Sequence, residues 1–232
     1  MKTSIIIVLL FLFSTFLQAE NYIQIAEKYE KQGNYVSAIS NYINAINNDI
    51  GNYKLYNRVA LLYEKIGQYE TAKDYFVRAI IIHNDYMEGY YNLGLWYYKK
   101  AKYTEAIINF KRALSITQEN IDLYVSLINC YIKLNKIQLA EQILNKSLNR
   151  FPENYKLLNL AGIISLLKND YKYAERYFRQ ALDINNDDKI INNLGIALYL
   201  AGKKNEAKKL LTKIKKYDKI EENIKLIEGG GK

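Results

Sequence analysis

An alanine returns at a fixed interval of 34 residues: Ala38, Ala72, Ala106, Ala140 and Ala174, then Ala207 after 33. A period of that length means one supersecondary unit stacked on copies of itself, because a unit so short cannot bury its own apolar face. Stacked arrays of this kind seldom do chemistry. The period therefore constrains how such a chain binds more than what it binds.

Other columns fall into line with that alanine. Twelve residues upstream stand Ala26, Ala60, Gly94, Gly162 and Gly195, interrupted by Ile128. Seven downstream stand Ala45, Ala79, Ala113 and Ala181, with Ser147 and Ile214 departing, and four downstream stand Tyr42, Phe76, Phe110, Leu144, Phe178 and Leu211. Small residues flanked by large apolar ones at i+3 and i+4 put a narrow stripe on each of two helices per unit, where backbones can approach closely. Between the two helices sit Gly33, Gly67, Asn135, Asn169 and Gly202, which tolerate the left-handed conformation of a helix C-terminus. Ala101 holds that place in the third unit, which predicts a slightly strained or differently built turn.

In this register Tyr90, Leu93, Gly94, Tyr97, Ala106, Phe110 and Ala113 resemble the tetratricopeptide repeat. Six repeats are read at about 19–52, 53–86, 87–120, 121–154, 155–187 and 188–221. The resemblance implies an all-α, right-handed superhelical solenoid of helix–turn–helix repeats. Ile220, Ile224 and Ile227 fall at helical spacing and predict a C-terminal capping helix over 218–228, with 229–232 as a disordered tail. Only Pro152 occupies the family's closing proline, and the sixth repeat departs most from the pattern, as terminal repeats of a solenoid do.

The first 19 residues stand outside the repeats. Lys2 followed by the apolar run from Ile5 to Phe13, continuing to Leu17, reads as the charged and hydrophobic regions of a secretory signal, with cleavage after Ala19. The alternative is an uncleaved inner-membrane anchor, although the run is short of a full span. Cleavage would deliver residues 20–228 to the periplasm. Cys130 is the single cysteine, so no internal disulfide forms, and its place on a repeat helix predicts a buried, inert thiol.

The formal charge is +9. Lys203, Lys204, Lys208, Lys209, Lys213, Lys215, Lys216 and Lys219 concentrate much of it near the C-terminal end. That run is either an attachment to an anionic surface or a solvated face that keeps the chain soluble. Nucleic acid is not an expected partner, because the tyrosines fall in the repeat columns, where packing accounts for them.

Residues suited to catalysis do not converge in the sequence. His83 is the single histidine, and no second histidine or cysteine stands near it to build a triad or a metal site. Glu105, Glu141, Glu175 and Glu206 follow the repeat, unlike a pair of carboxylates built for acid–base work. No enzyme, cofactor or metal site is expected.

The family resemblance implies a groove lined by the first helix of each repeat. Carried over column by column, it presents Asn57 and Leu61, Tyr91 and Leu95, Val125 and Asn129, Asn159 and Ile163, and Asn192 and Ile196. Ile23 and Glu27 belong to the same columns, and Tyr98, Ile132, Leu166 and Tyr199 lie a turn further on. The asparagines could grip a peptide backbone while the apolar members hold its side chains. The basic set of the family's carboxylate clamp is missing. The function expected is a scaffold of the bacterial cell envelope that binds a protein, as a peptide or helix, in the groove; the alternative is a periplasmic holdase or assembly chaperone. The oligomeric state stays open at this level.

Overall fold

The computed structural model describes residues 2–212, which form an all-α solenoid of helical repeats with no strand among them. The helices are α1 (Lys2–Lys31), α2 (Tyr35–Asn48), α3 (Tyr53–Lys65), α4 (Tyr69–Ile82), α5 (Met87–Lys99) and α6 (Tyr103–Ile116). They continue with α7 (Ile121–Lys133), α8 (Ile137–Arg150), α9 (Tyr155–Leu167), α10 (Tyr171–Ile184), α11 (Asp188–Leu200) and α12 (Lys204–Leu211). The chain divides into two compact units, Met1–Thr117 and Gln118–Lys232. The capping helix and tail expected at 218–232 lie outside the described residues.

Within each unit every helix packs against the next in sequence, and in the second unit α9 also touches α7 and α11. The small-residue columns explain the closeness. Ala26, Ala38, Ala60, Ala72, Ala106, Ala140, Ala174 and Ala207 are all fully buried, and Phe76, Phe110 and Phe178 lie at 0% exposure beside them. At Gly94 and Gly162 the contact is tighter than alanine allows: a Cβ would stand 2.6 Å from the ring of Phe110 and 2.4 Å from that of Phe178.

Six turns inside the repeats share one geometry. Gly33, Gly67, Ala101, Asn135, Asn169 and Gly202 all have φ between 55° and 81°. At the third turn the Lys102 N–H donates to the Tyr97 carbonyl at 2.9 Å and the Ala101 N–H to that of Tyr98 at 3.0 Å, a Schellman closure of the preceding helix. Ala101, at φ 57°, thus adopts the same turn with a Cβ in the left-handed region, and the strain is real while the turn is not rebuilt. An L-residue pays about 1–2 kcal/mol there, and glycine returns part of that gain through the unfolded chain. Ala101→Gly is expected to raise stability by about 0.5–1 kcal/mol, seen as a higher urea midpoint at unchanged slope. A lower midpoint would mean that the surrounding loop relieves the strain already.

In the second unit the first helix of each repeat, α7, α9 and α11, starts under a side-chain cap. Asn120 accepts from the Asp122 N–H, Asn154 from those of Lys156 and Leu157, and Asp187 from that of Lys189. In the first repeat Asn34 caps α2 by accepting from the Ser37 N–H, but the first helix has no start at the repeat boundary. Helix α1 runs without a break through Ala19, which is 3% exposed and occupies the column where α3, α5, α7 and α9 begin. N-terminal to it, Ile5–Val8, Leu10, Phe13, Phe16 and Leu17 are all more than half exposed around the helix, an apolar surface with no stripe. Helix α1 is long and apolar enough to cross a membrane by length and composition.

Candidate functional site

In the first unit α3 carries Asn57 and Leu61, and α5 carries Tyr91, Leu95 and Tyr98. Asn57 departs from the expectation of an open groove residue: it is 7% exposed, and its Oδ1 accepts from Asn92 Nδ2 at 2.9 Å. It links two first helices across adjacent repeats. Leu61 packs against the cluster of Ala60, Ala72, Phe76 and Leu93. The Tyr91 ring lies 5.9 Å from that of Phe110, and Tyr98 meets Tyr103 edge-on at 5.4 Å. Leu95 is half-buried. The columns read as free of stacking duty therefore share it.

The second unit repeats the device. Val125 and Asn129 are half-buried on α7, Asn159 and Ile163 on α9, and Asn192 on α11. Asn159 Oδ1 accepts from Asn193 Nδ2 at 3.0 Å. Ile163 packs against the cluster that includes Phe178 and Leu194.

In both asparagine pairs the bond uses one carbonyl and one amide, and half of each side chain is left over. Asn57 Nδ2 and Asn92 Oδ1, like Asn159 Nδ2 and Asn193 Oδ1, have no protein partner among the described residues and are not sealed from solvent. Each pair thus holds one donor and one acceptor in a fixed orientation, the two groups that a peptide backbone needs. Asn92 and Asn193 were not among the residues expected from the sequence. The signal was there as an asparagine followed 35 or 34 residues later by a second. It falls one position off the repeat column, so an alignment on columns passes over it.

Most of the ion pairs link successive repeats. Glu30 accepts from Arg58 Nε and pairs with Arg58 Nη2, each at 2.8 Å, and accepts from the Tyr42 hydroxyl at 3.2 Å. Burial, with Glu30 beside it, pushes the Tyr42 phenol up to about 12. Glu141 pairs with Lys168 at 2.7 Å, and Glu175 with Lys203 at 2.8 Å and Arg179 at 3.0 Å. His83 is exposed and stacks on Tyr53 with ring centres 4.3 Å apart. Of the C-terminal lysines, Lys203 is engaged with Glu175 and Lys204 lies over the Tyr199 ring, whereas Lys213, Lys215, Lys216 and Lys219 fall outside the described residues.

Family models described as tetratricopeptide repeat match residues 53–82, 97–161 and 155–188, more than half of the chain. The chain belongs to the tetratricopeptide repeat family. No curated protein sequence matches it. Among solved structures it is similar to a tetratricopeptide repeat protein from Parabacteroides merdae, at 18% identity and a TM-score of 0.80 over 92% of this chain and 88% of that one. It is also similar to PilW, described as a widely conserved type IV pilus biogenesis factor, at 18% identity and a TM-score of 0.74 over 89% and 98%. A third is YrrB, described as a tetratricopeptide repeat protein with an unusual peptide-binding site, at 20% identity and 0.62 over 82% and 96%.

Proposed function

We propose that this chain is a non-enzymatic scaffold of the bacterial cell envelope, exported by its N-terminal apolar segment, that holds a protein partner through an extended peptide on its first-helix residues. The observation that carries this reading is the pair of half-satisfied asparagines in each unit, flanked by Leu61, Leu95 and Ile163. A backbone amide and carbonyl can complete both pairs, while the apolar neighbours cover peptide side chains. Family membership supports protein binding as the role, and the likeness to a pilus biogenesis factor supports the envelope as its setting.

In-cell photocrosslinking from Leu95 and Asn129, with Lys208 as a control site, tests the reading. One dominant envelope protein captured from the two groove positions is the expected result. Many unrelated products would replace the scaffold by a holdase, and products from Lys208 alone would move the site elsewhere. Replacing Tyr91 and Asn129 together by Ala is expected to weaken binding of the captured protein at least about tenfold. The loss in stability should stay at about 1–2 kcal/mol, from the Tyr91 contact with Phe110 and the half-buried ring area lost with it.

A further inference from the structure

A second surface, apart from the asparagine pairs, lies on the second unit. A cleft of about 510 Å³ is lined by Lys172, Tyr173, Glu175, Arg176, Arg179 and Lys203. Four of those six side chains are cationic. Glu175 is consumed by Arg179 and Lys203, and Arg179 also reaches Glu206. Lys172 and Arg176 have no carboxylate partner among the described residues. The Arg176 guanidinium lies over two rings, 5.5 Å from the centre of Tyr173 and 5.2 Å from that of Tyr177. Tyr173 is half exposed.

We infer that this cleft binds an acidic polypeptide segment in extended conformation, with carboxylates at alternate residues. Lys172 and Arg176 are four residues apart on α10, so their Cβ atoms stand about 5–6 Å apart on one face. Alternate side chains of an extended strand are separated by about 6.6 Å, slightly more than that spacing and within the reach of two long flexible side chains. Resting on the tyrosine rings holds the planar guanidinium in place, so its fork meets a carboxylate with little further ordering. The exposed Tyr173 ring offers cover for the intervening residue.

The test uses the full chain in a neutral detergent and a fluorescent peptide of alternating Glu and Ser, read by anisotropy at low ionic strength. A peptide of alternating Gln and Ser is the neutral control. Binding of the acidic peptide alone, weakened about tenfold or more by Lys172→Glu with Arg176→Glu, is expected, with Arg176→Lys intermediate. The melting temperature of the double variant checks that the repeat still folds; since neither side chain is buried, it should fall by no more than the few degrees that loss of the Arg176 ring contacts brings. Equal binding by the double variant and the original chain would overturn the inference. So would an equal loss from Lys208→Glu with Lys209→Glu, which would signal diffuse charge.

Discussion

Gly162→Val is expected to cost at least about 3 kcal/mol of unfolding free energy, and most of that increment should vanish when it is measured against a Phe178→Ala chain, whose own large cost is common to both. Gly162 is buried in α9 against the ring of Phe178, and even a bare Cβ would stand 2.4–2.6 Å from three ring atoms. The ring cannot swing aside. Phe178 has 0% exposure and shares its cluster with Ala174, Ala181, Leu194 and Leu198, so any rotation presses on another repeat. Valine adds two methyl groups beyond that Cβ and a branched side chain that prefers a single rotamer in a helix. Alanine should fare better, because its helix propensity returns about 1 kcal/mol against the clash. The fully buried Ala60, in the same column of the second repeat, lies beside Phe76, so the array accommodates a methyl where the ring has settled around it. Urea titration of both single variants and the double variant measures the coupling. A Gly162→Val chain as stable as the original would mean that the α9–α10 contact is looser than these distances require.

That coupling also explains why so much of the fold was legible. The small columns and the large rings four residues after the key alanine are two halves of one contact, repeated, and each repeat restates the constraint. The left-handed turns were legible for the same reason, since glycine or asparagine recurring at one offset marks a backbone that needs positive φ. Ala101 follows its neighbours because the Schellman bonds at Tyr97 and Tyr98 outweigh the strain of one Cβ. The groove residues were less legible. Column alignment names Asn57, but it gives no sign that Asn92 in the next repeat will bury it, because that partner sits off the column. A surface assigned from repeat position assumes that one face stacks and the other is free. Here Tyr91, Leu61 and Ile163 pack with residues of their own unit, and what stays uncovered on that face is a few amide atoms and half-buried aliphatic groups. The continuity of α1 through Ala19 was equally hidden. A signal and a repeat helix carry different compositions, yet both favour helix, and no glycine or proline stands between them.

Above pH 9 the chain should lose stability through Cys130. The thiol lies at 0% exposure on α7, and burial pushes it from 9 up to about 12. A thiolate in that apolar setting has neither water nor a cation to hold it, so ionisation favours the unfolded chain. The sign follows from the direction of the shift. A group whose folded value lies above its unfolded one contributes fully below the unfolded value and is lost as pH climbs through the folded one. For Cys130 that window runs from 9 to about 12, and a shift of this size corresponds to about 4 kcal/mol. Tyr42 and Tyr86, both raised from 10 to about 12 chiefly by burial, add to the loss over the upper part of the same window. Cys130→Ala leaves a small cavity and should lower stability at pH 7, yet its stability should fall less steeply between 9 and 10, where the tyrosines have not begun to contribute. Urea midpoints measured at intervals from pH 7 to 11 separate the two variants. Parallel curves would mean that the thiol ionises as readily in the fold as out of it, and a folded chain that reacts quickly with a thiol reagent at pH 8 would say the same by a second route. If the curves diverge as expected, the fourth repeat is closed around Cys130 in solution, and the single cysteine is shielded from cross-linking.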